Sequence, residues 1–132
     1  MNKIPESHMD LLNDNRKAFA YLATVMKDGS PQVTPVWFNF DGEFLMINSA
    51  EGRVKDKNMR SHPTVALTIQ DPGDPYRYLQ VRGSVVEFTH DGADAHIDAL
   101  SMKYTSQPIY QWRSDKEKRM RYKIRIEKVD AH

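Results

Sequence analysis

Alternation of apolar and polar residues predicts that most of this chain forms β-strands. The pattern is clearest in the final predicted strand, at about 119–129, where every second residue from 120 to 126 is apolar. These apolar positions are Met120, Tyr122, Ile124 and Ile126. A period of two is typical of a strand with one buried face. Similar β-rich runs predict five further strands, at 18–26, 31–40, 43–49, 64–70 and 76–89.

Two Asp-Gly pairs and one glycine indicate how these strands connect. Asp28-Gly29 and Asp41-Gly42 are hairpin-turn signals, so the first three strands are predicted to form an antiparallel meander. Gly83, inside the long strand at 76–89, predicts a bulge or bend of the kind found where a sheet closes into a barrel. The sequence therefore predicts a mainly β protein, a six-stranded antiparallel barrel with a few short helices.

Three segments are predicted to contain helix. Residues 1–17 are interpreted as a leader and a first helix, and residues 54–61 as a short helix that ends before Pro63. In 93–104 the apolar residues recur at helical spacing, which puts them on one face. The residues of that face are Ala93, Ile97, Leu100 and Tyr104.

Composition limits the class of protein. The chain has 132 residues, which fits a single domain over 1–132, and it has no cysteine to form a disulfide or a thiolate metal site. A net charge of +1 with mixed signs does not favour nucleic-acid binding. The apolar runs are too short for a membrane span and no signal-peptide pattern opens the chain, so a cytoplasmic location is expected.

The sequence offers no recognisable acid–base or covalent machinery. The five histidines show no metal-ligand spacing, and His90 and His96 are interpreted as lying in or beside a surface turn, so no metal site is expected. There is no nucleophile elbow, phosphate-binding glycine loop or pair of catalytic carboxylates. If the protein is an enzyme, a bound cofactor should carry the reaction.

The junction between the third strand and the helix at 54–61 is the strongest candidate site. Arg53 and Lys55 lie where the first backbone N–H groups of the helix have no partners within the helix. Free N–H groups, the helix dipole and added cations together favour an anion such as phosphate. Local chemistry alone leaves a second interpretation open, because charge clusters on short helices are often solvated faces.

The strand at 31–40 contains a second candidate feature. Pro35 cannot donate a hydrogen bond to a neighbouring strand, so it marks an edge or a break. Trp37 and Phe38 can be explained by core packing alone. A broken edge beside a phosphate site could, however, leave room for a planar ring.

Several motifs together resemble those of the split-barrel flavin and deazaflavin oxidoreductases, the group that includes pyridoxamine 5′-phosphate oxidase. The resemblance covers about Ala18 to Val129. It is closest to the small enzymes that use coenzyme F420, at Thr34-Pro35-Val36-Trp37-Phe38 and Gly52-Arg53-x-Lys55-x-x-Asn58. The other matching motifs include Asp28-Gly29-Ser30-Pro31, Asn48-Ser49-Ala50, Pro75-Tyr76-Arg77-Tyr78-Leu79 and Val81-Arg82-Gly83.

The resemblance implies an FMN-binding split-barrel fold and a set of cofactor-binding residues. Those implied to hold the cofactor phosphate are Arg53, Lys55 and Asn58. Those implied to line the approach or contact the ring are Asn48, Ser49, Thr34, Pro35 and Val36, with Trp37 near the cleft or a dimer seam. It also implies an obligate homodimer in which Tyr78 reaches the cofactor from the partner chain. Apolar strand residues such as Leu79, Val81, Val85 and Phe88 are expected to need cover from that partner.

The function expected from this resemblance is hydride transfer from reduced F420 to a small electron-poor organic acceptor. FMN is the alternative cofactor, since it is also a phosphorylated tricycle that Lys55 would suit. A further alternative is a non-enzymatic carrier of a flavin or a tetrapyrrole. Pyridoxamine phosphate oxidases have a longer C-terminal region that grips the substrate phosphate, so oxidation of vitamin B6 is not expected.

Overall fold

A computed structural model describes residues 4–132 as a curled, seven-stranded antiparallel sheet with short helices. The strands are β1 (Ala20–Val25), β2 (Pro31–Val36), β3 (Phe38–Phe40), β4 (Phe44–Ala50), β5 (Thr64–Asp71), β6 (Asp74–Thr89) and β7 (Arg119–Ala131). The helices are a 3₁₀ helix (Glu6–Leu12), α1 (Val54–Ser61) and α2 (Ala93–Thr105). The predicted bounds of α1 are confirmed, and the helix predicted within 1–17 is the 3₁₀ helix.

The strand order, β2-β1-β5-β6-β7-β4-β3, brings the two edges of the sheet together. Strands β2 and β3 are these edges, yet only Trp37 separates them along the chain. The sheet must therefore curl until its edges meet at Trp37. Because β2 and β3 are not paired with each other, the barrel is split along this line.

The predicted count of six strands was wrong, because the strand expected at 31–40 is broken. At Trp37 the chain leaves one edge of the sheet, and Phe38 pairs with Ile47 at the other edge. The Tyr104 hydroxyl of α2 accepts a hydrogen bond from the Phe38 N–H at 3.3 Å and donates one to the Ala18 carbonyl at 2.6 Å. This hydroxyl therefore ties the start of β3 to the residues that precede β1, next to the split in the barrel.

The predicted meander is instead two hairpins at opposite edges. Strands β1 and β2 turn at Asp28-Gly29, and β3 and β4 turn at Asp41-Gly42. Both glycines have positive φ, of 90° and 103°, which explains the need for glycine in each turn. The two turn signals were therefore interpreted correctly, although the strands they join do not form one continuous meander.

Gly83 lies at an irregularity of the sheet, as predicted. The register between β6 and β7 shifts between Arg82 and Gly83. A Cβ added to Gly83 would lie 2.1 Å from the carbonyl oxygen of Arg125, which no real side chain tolerates. The two backbones approach so closely here that only glycine fits.

The core lies inside the curled sheet, and it changes the argument for a partner. Leu79, Val81 and Val85 are buried in the core of a single chain, so they do not need cover from a second copy. Phe88 is the exception, with 45% of its surface exposed. The predicted apolar face of α2 is confirmed, since its four residues are all buried.

A cluster of fully paired charges attaches the N-terminal segment to the sheet. Arg77 of β6 binds the Asp10 carboxylate at 2.5 Å and the Asp71 carboxylate at 2.9 Å. Arg16 binds Asp71 at 2.6 Å and lies 3.6 Å from Asp10. We call Asp10, Arg16, Asp71 and Arg77 the paired cluster. It fixes the 3₁₀ helix against the β5–β6 hairpin.

The helices described within residues 4–132 are too short or too polar to cross a membrane.

Candidate functional site

The junction between β4 and α1 is held by a buried carboxylate. Asp56, which is completely buried, accepts hydrogen bonds from the Gly52 N–H at 2.8 Å, from the Tyr122 hydroxyl and from Arg60 at 2.7 Å. These contacts fix the direction in which α1 begins. The backbone N–H groups of Val54 and Lys55 donate to no other described residue. The start of α1 thus keeps free donors, as an anion site requires.

A cleft of about 190 Å³ opens beside this junction. It lies between the end of β2, the start of α1, one face of α2 and the segment that precedes β7. Its lining residues are Phe19, Pro35, Val36, Trp37, Asn48, Arg53, Lys55, Ile97, Leu100, Tyr110, Trp112 and Arg119. Eight of these twelve are aromatic or aliphatic, with Pro35 included, and the charged members are all cations.

Stacked rings form one wall of the cleft. Trp37 stacks on Tyr104 with ring centroids 5.3 Å apart and planes within 7° of parallel. Tyr110 meets the edge of Trp37 at 6.1 Å, and Trp112 meets Tyr110 at 5.6 Å. Rings fixed in this way offer a rigid apolar surface to a flat ligand.

The cations of the cleft differ in how they are paired. Arg53 forms an ion pair with Glu117 at 2.9 Å. Lys55 has no hydrogen bond or ion pair with any described residue. Arg119 donates from Nε to Asn48 Oδ1 at 2.8 Å, but its buried Nη1 has no hydrogen-bond acceptor. The nearest carboxylate oxygen to Nη1, on Glu117, is 3.8 Å away.

The environment of Lys55 and Arg119 disfavours their charged forms, although Glu117 partly offsets this effect at Arg119. Burial lowers the pKa of Lys55, and the nearby charges of Arg53 and Arg119 lower it further. Burial likewise lowers the pKa of the Arg119 guanidinium, and Arg53 adds to this effect. We call Lys55 and Arg119 the cleft cations. A bound anion would relieve both the burial cost and the repulsion between them.

Six of the ten residues predicted for the site line the cleft. They are Pro35, Val36, Trp37, Asn48, Arg53 and Lys55. The structure thus brings together the strand edge and the helix start that the sequence singled out separately. Their roles toward a cofactor stay predictions.

The other four predicted residues lie outside the cleft. Asn58 donates to Thr24 at 3.0 Å, so its amide holds α1 on β1 rather than facing the cleft. Ser49 follows Asn48 on β4, and strand alternation turns it to the opposite face. Thr34 does not line the cleft. Tyr78 stacks on His132 at 4.8 Å, and its predicted contact across a dimer remains a prediction.

Several lining residues were missed by the sequence interpretation. Arg119 was assigned to the polar face of the last strand, yet it is buried beneath the segment that precedes β7. That segment contributes Tyr110 and Trp112, a closely spaced aromatic pair that could have signalled a ligand wall. Phe19, Ile97 and Leu100 carried no signal beyond core packing.

His96 was also misplaced by the sequence interpretation. It lies on α2 rather than in or beside a surface turn, with Nε2 2.7 Å from Asn39 Oδ1 and Nδ1 3.1 Å from Asn48 Nδ2. Burial, and then the charges of Arg121 and Arg119, lower its pKa to about 4. His96 is therefore neutral at pH 7.

A family comparison matches the whole of the described chain. The family described as pyridoxamine 5′-phosphate oxidase matches residues 4–132. A solved structure of an F420 reductase is 36% identical, with a TM-score of 0.85 over 96% of this chain and 98% of that one.

Two more distant structures show the same fold. One, from Listeria innocua, was assigned as a pyridoxamine 5′-phosphate oxidase. It is 19% identical, with a TM-score of 0.71 over 96% of this chain and 95% of that one. The other, the conserved hypothetical protein Rv2991 from Mycobacterium tuberculosis, is 22% identical, with a TM-score of 0.73 over 97% of this chain and 84% of that one.

Proposed function

The chain belongs to the pyridoxamine 5′-phosphate oxidase family, and from this we propose that it is a coenzyme F420-dependent reductase. Family membership and the similarity to an F420 reductase indicate a flavin or deazaflavin oxidoreductase. The choice of F420 over FMN rests on the 36% identity to that reductase along nearly the whole of both chains.

The observation that carries the proposal is the pair of cleft cations beside an aromatic wall. Lys55 and the Nη1 group of Arg119 are donors that have no hydrogen-bond acceptor among residues 4–132. A phosphate supplies several acceptor oxygens and a negative charge, so it fits both donors. The stacked Trp37 gives a planar ring a surface to lie against. The residues present therefore fit a phosphorylated ring system.

The chain's own residues would bind, orient and shield the cofactor. Lys55, Arg119 and the free N–H groups at the start of α1 would hold the phosphate. Pro35, Val36 and Trp37 would place the ring and exclude water from one side. When bound, reduced F420 would supply a hydride to a small electron-poor acceptor.

A homodimer is part of the proposal, because the cleft of one chain is small. Its volume of about 190 Å³ is below the roughly 300–1,000 Å³ usual for small-molecule sites. A second copy would complete the walls, with Tyr78 of the partner subunit reaching the cofactor. Light scattering should give a mass near twice 15.3 kDa. A mass near 15.3 kDa at micromolar concentration would contradict the dimer.

Binding titrations with F420 and FMN, side by side, test the cofactor assignment. We expect F420 to bind the purified protein more tightly than FMN. Bound F420 should also quench the fluorescence of Trp37, which lines the cleft. Turnover of F420H2 with an enone or imine acceptor should follow. Tight binding of FMN with weak binding of F420 would replace the proposal with the flavin alternative. Binding without turnover across many acceptors would favour a carrier.

A further inference from the structure

A chain of polar contacts connects the cleft with residues outside it. Arg119 Nε lies 2.8 Å from Asn48 Oδ1, and Asn48 Nδ2 lies 3.1 Å from His96 Nδ1. His96 Nε2 in turn lies 2.7 Å from Asn39 Oδ1. Asn48 and Arg119 line the cleft, whereas Asn39 and His96 do not. The contacts therefore extend from a cleft cation through His96 of α2 to Asn39 of β3.

The chemistry of these groups determines where each proton lies. An arginine can only donate, so the side chain of Asn48 must turn its oxygen toward Arg119. Its amide nitrogen then faces His96, and the Nδ1 of His96 must accept. A neutral imidazole that accepts at Nδ1 carries its proton on Nε2. That proton is donated to the oxygen of Asn39.

We infer that His96 is a positioning residue, which holds the Asn48 amide so that Arg119 stays aimed at the bound phosphate. This inference rests on the proposed function, since it takes the ligand to be a phosphate. Nε of Arg119 is engaged by Asn48, and the buried Nη1 remains available to the ligand. His96 thus acts on the site through Asn48, without touching the ligand.

Helix α2 holds the Asn48 amide at two points. Besides its contact with His96, Asn48 Nδ2 donates to the Ala93 carbonyl at 2.9 Å. If the acceptor at His96 were lost, one of these two restraints on the amide would be gone. A turned amide would present N–H groups to Arg119, which cannot accept them, so Arg119 would lose its anchor. The ligand-binding geometry of Arg119 therefore depends on an acceptor at position 96.

Two variants of His96 separate positioning from packing. In His96→Asn the amide oxygen Oδ1 is bonded to Cγ, as Nδ1 is in histidine. This oxygen can therefore still accept the hydrogen bond from Asn48. In His96→Gln the amide lies one bond further out, near the place of Nε2, so it keeps the contact with Asn39 and loses the one with Asn48. Each variant preserves one of the two contacts, and they are therefore matched controls.

The probe is inorganic phosphate, titrated against the Arg119 Nε–H resonance by NMR, with sodium chloride at equal ionic strength as the control. We expect His96→Asn to bind within about twofold of wild type. His96→Gln should bind about tenfold more weakly, the effect of losing one hydrogen bond to a charged group. Equal affinities in the two variants, or no phosphate binding by wild type, would overturn the inference.

The tautomer of His96 provides a measurement that needs no variant. Nitrogen-15 shifts of the wild-type protein should show the proton on Nε2, and a proton on Nδ1 would overturn the inference even if His96→Gln failed to fold. The proposed function fails separately. If F420 does not bind while phosphate discriminates the variants as expected, the function is wrong and the positioning role stands. If F420 binds and the variants are equal, only the positioning role is wrong.

Discussion

Two groups of cations in this molecule differ in how closely carboxylates approach them. In the paired cluster, Arg16 and Arg77 bind carboxylates at 2.5–2.9 Å. Within the described part of the chain, the cleft cations Lys55 and Arg119 have no carboxylate within hydrogen-bond distance, although both are partly or fully buried. Burying a charge is costly unless it is paired. The comparison supports the proposed function, in which the first cluster serves the fold and the second holds the cofactor phosphate.

The largest effect should come from replacing Arg119. We predict that Arg119→Met weakens cofactor binding by about a hundredfold or more, because a buried charge-assisted donor is lost. The guanidinium is buried without a full set of partners, so the free energy of unfolding should fall by no more than about 1 kcal/mol. A cofactor titration with a parallel denaturation curve measures both. A large loss of stability with unchanged cofactor affinity would show that Arg119 serves the fold and not the ligand.

Lys55→Ala should have the next largest effect. Loss of one charge-assisted contact should weaken cofactor binding by roughly ten- to a hundredfold. Melting should hardly change, because Lys55 makes no hydrogen bond or ion pair with the described protein. Lys57 is the matched control: it lies on the same helix but does not line the cleft. Equal affinities of wild type and Lys55→Ala would remove this lysine from the site.

The paired cluster should respond in the opposite way. Arg77→Met leaves two carboxylates with fewer partners and loosens the N-terminal segment. We predict a drop of about 5 °C in melting temperature, with cofactor affinity within about twofold of wild type. Calorimetry and the same titration provide the test. If Arg77→Met weakened binding as strongly as Lys55→Ala, the two groups of cations would not be functionally distinct.

The smallest expected effect is a pH dependence of the stability, caused by His96 beside the cleft. The pKa of His96 is about 4 in the folded protein and near 6.5 in an unfolded chain, so the unfolded state binds more protons between these values. His96 should therefore lower the stability as the pH falls from about 6.5 to about 4. The pKa of His90 is raised, which partly offsets this change near pH 6.5.

His96→Asn isolates that contribution. The difference in unfolding free energy between wild type and His96→Asn should shrink or reverse as the pH falls through this window. Chemical denaturation at pH 7 and pH 4.5 measures it. The paired cluster should lose stability as the pH falls below about 3.8, because Arg77 lowers the pKa of Asp10, and the Gly73 N–H and then Arg77 lower the pKa of Asp71. A difference that did not change with pH would show that His96 is not kept neutral by the fold.

Much of the fold could be predicted because its signals are local. Alternation identified the strands, Asp-Gly identified both hairpin turns, and Gly83 identified the irregularity between β6 and β7. The break at Trp37 could not be predicted in the same way. It depends on the curl of the whole sheet, which brings the edges together, and on the Tyr104 hydroxyl reaching Phe38 from a distant helix.

The candidate site was predictable where its residues share a short segment. Lys55 and Arg53 were found through helix-start chemistry, and Pro35 through its missing donor. Arg119 follows the ordinary alternation of a strand, so nothing local sets it apart from its exposed neighbours. It is covered by the Tyr110 ring, 5.2 Å from its guanidinium, and is bound to Asn48 of β4, a long-range arrangement that periodicity does not report.

The position of β7 in the sheet sets a condition on the order of events at the ribosome. Of the seven strands, β7 is the last to be synthesised, yet it lies between β6 and β4 in the finished sheet. On one side of β7 in the sheet lie the four strands β2, β1, β5 and β6, and on the other side lies the β3–β4 hairpin. Before β7 emerges, no strand joins these two parts. Strand β7 also brings Arg119 to the cleft. The nascent chain therefore completes its barrel and its cleft in one step, and under the proposed function cofactor binding must follow the emergence of β7 from the exit tunnel.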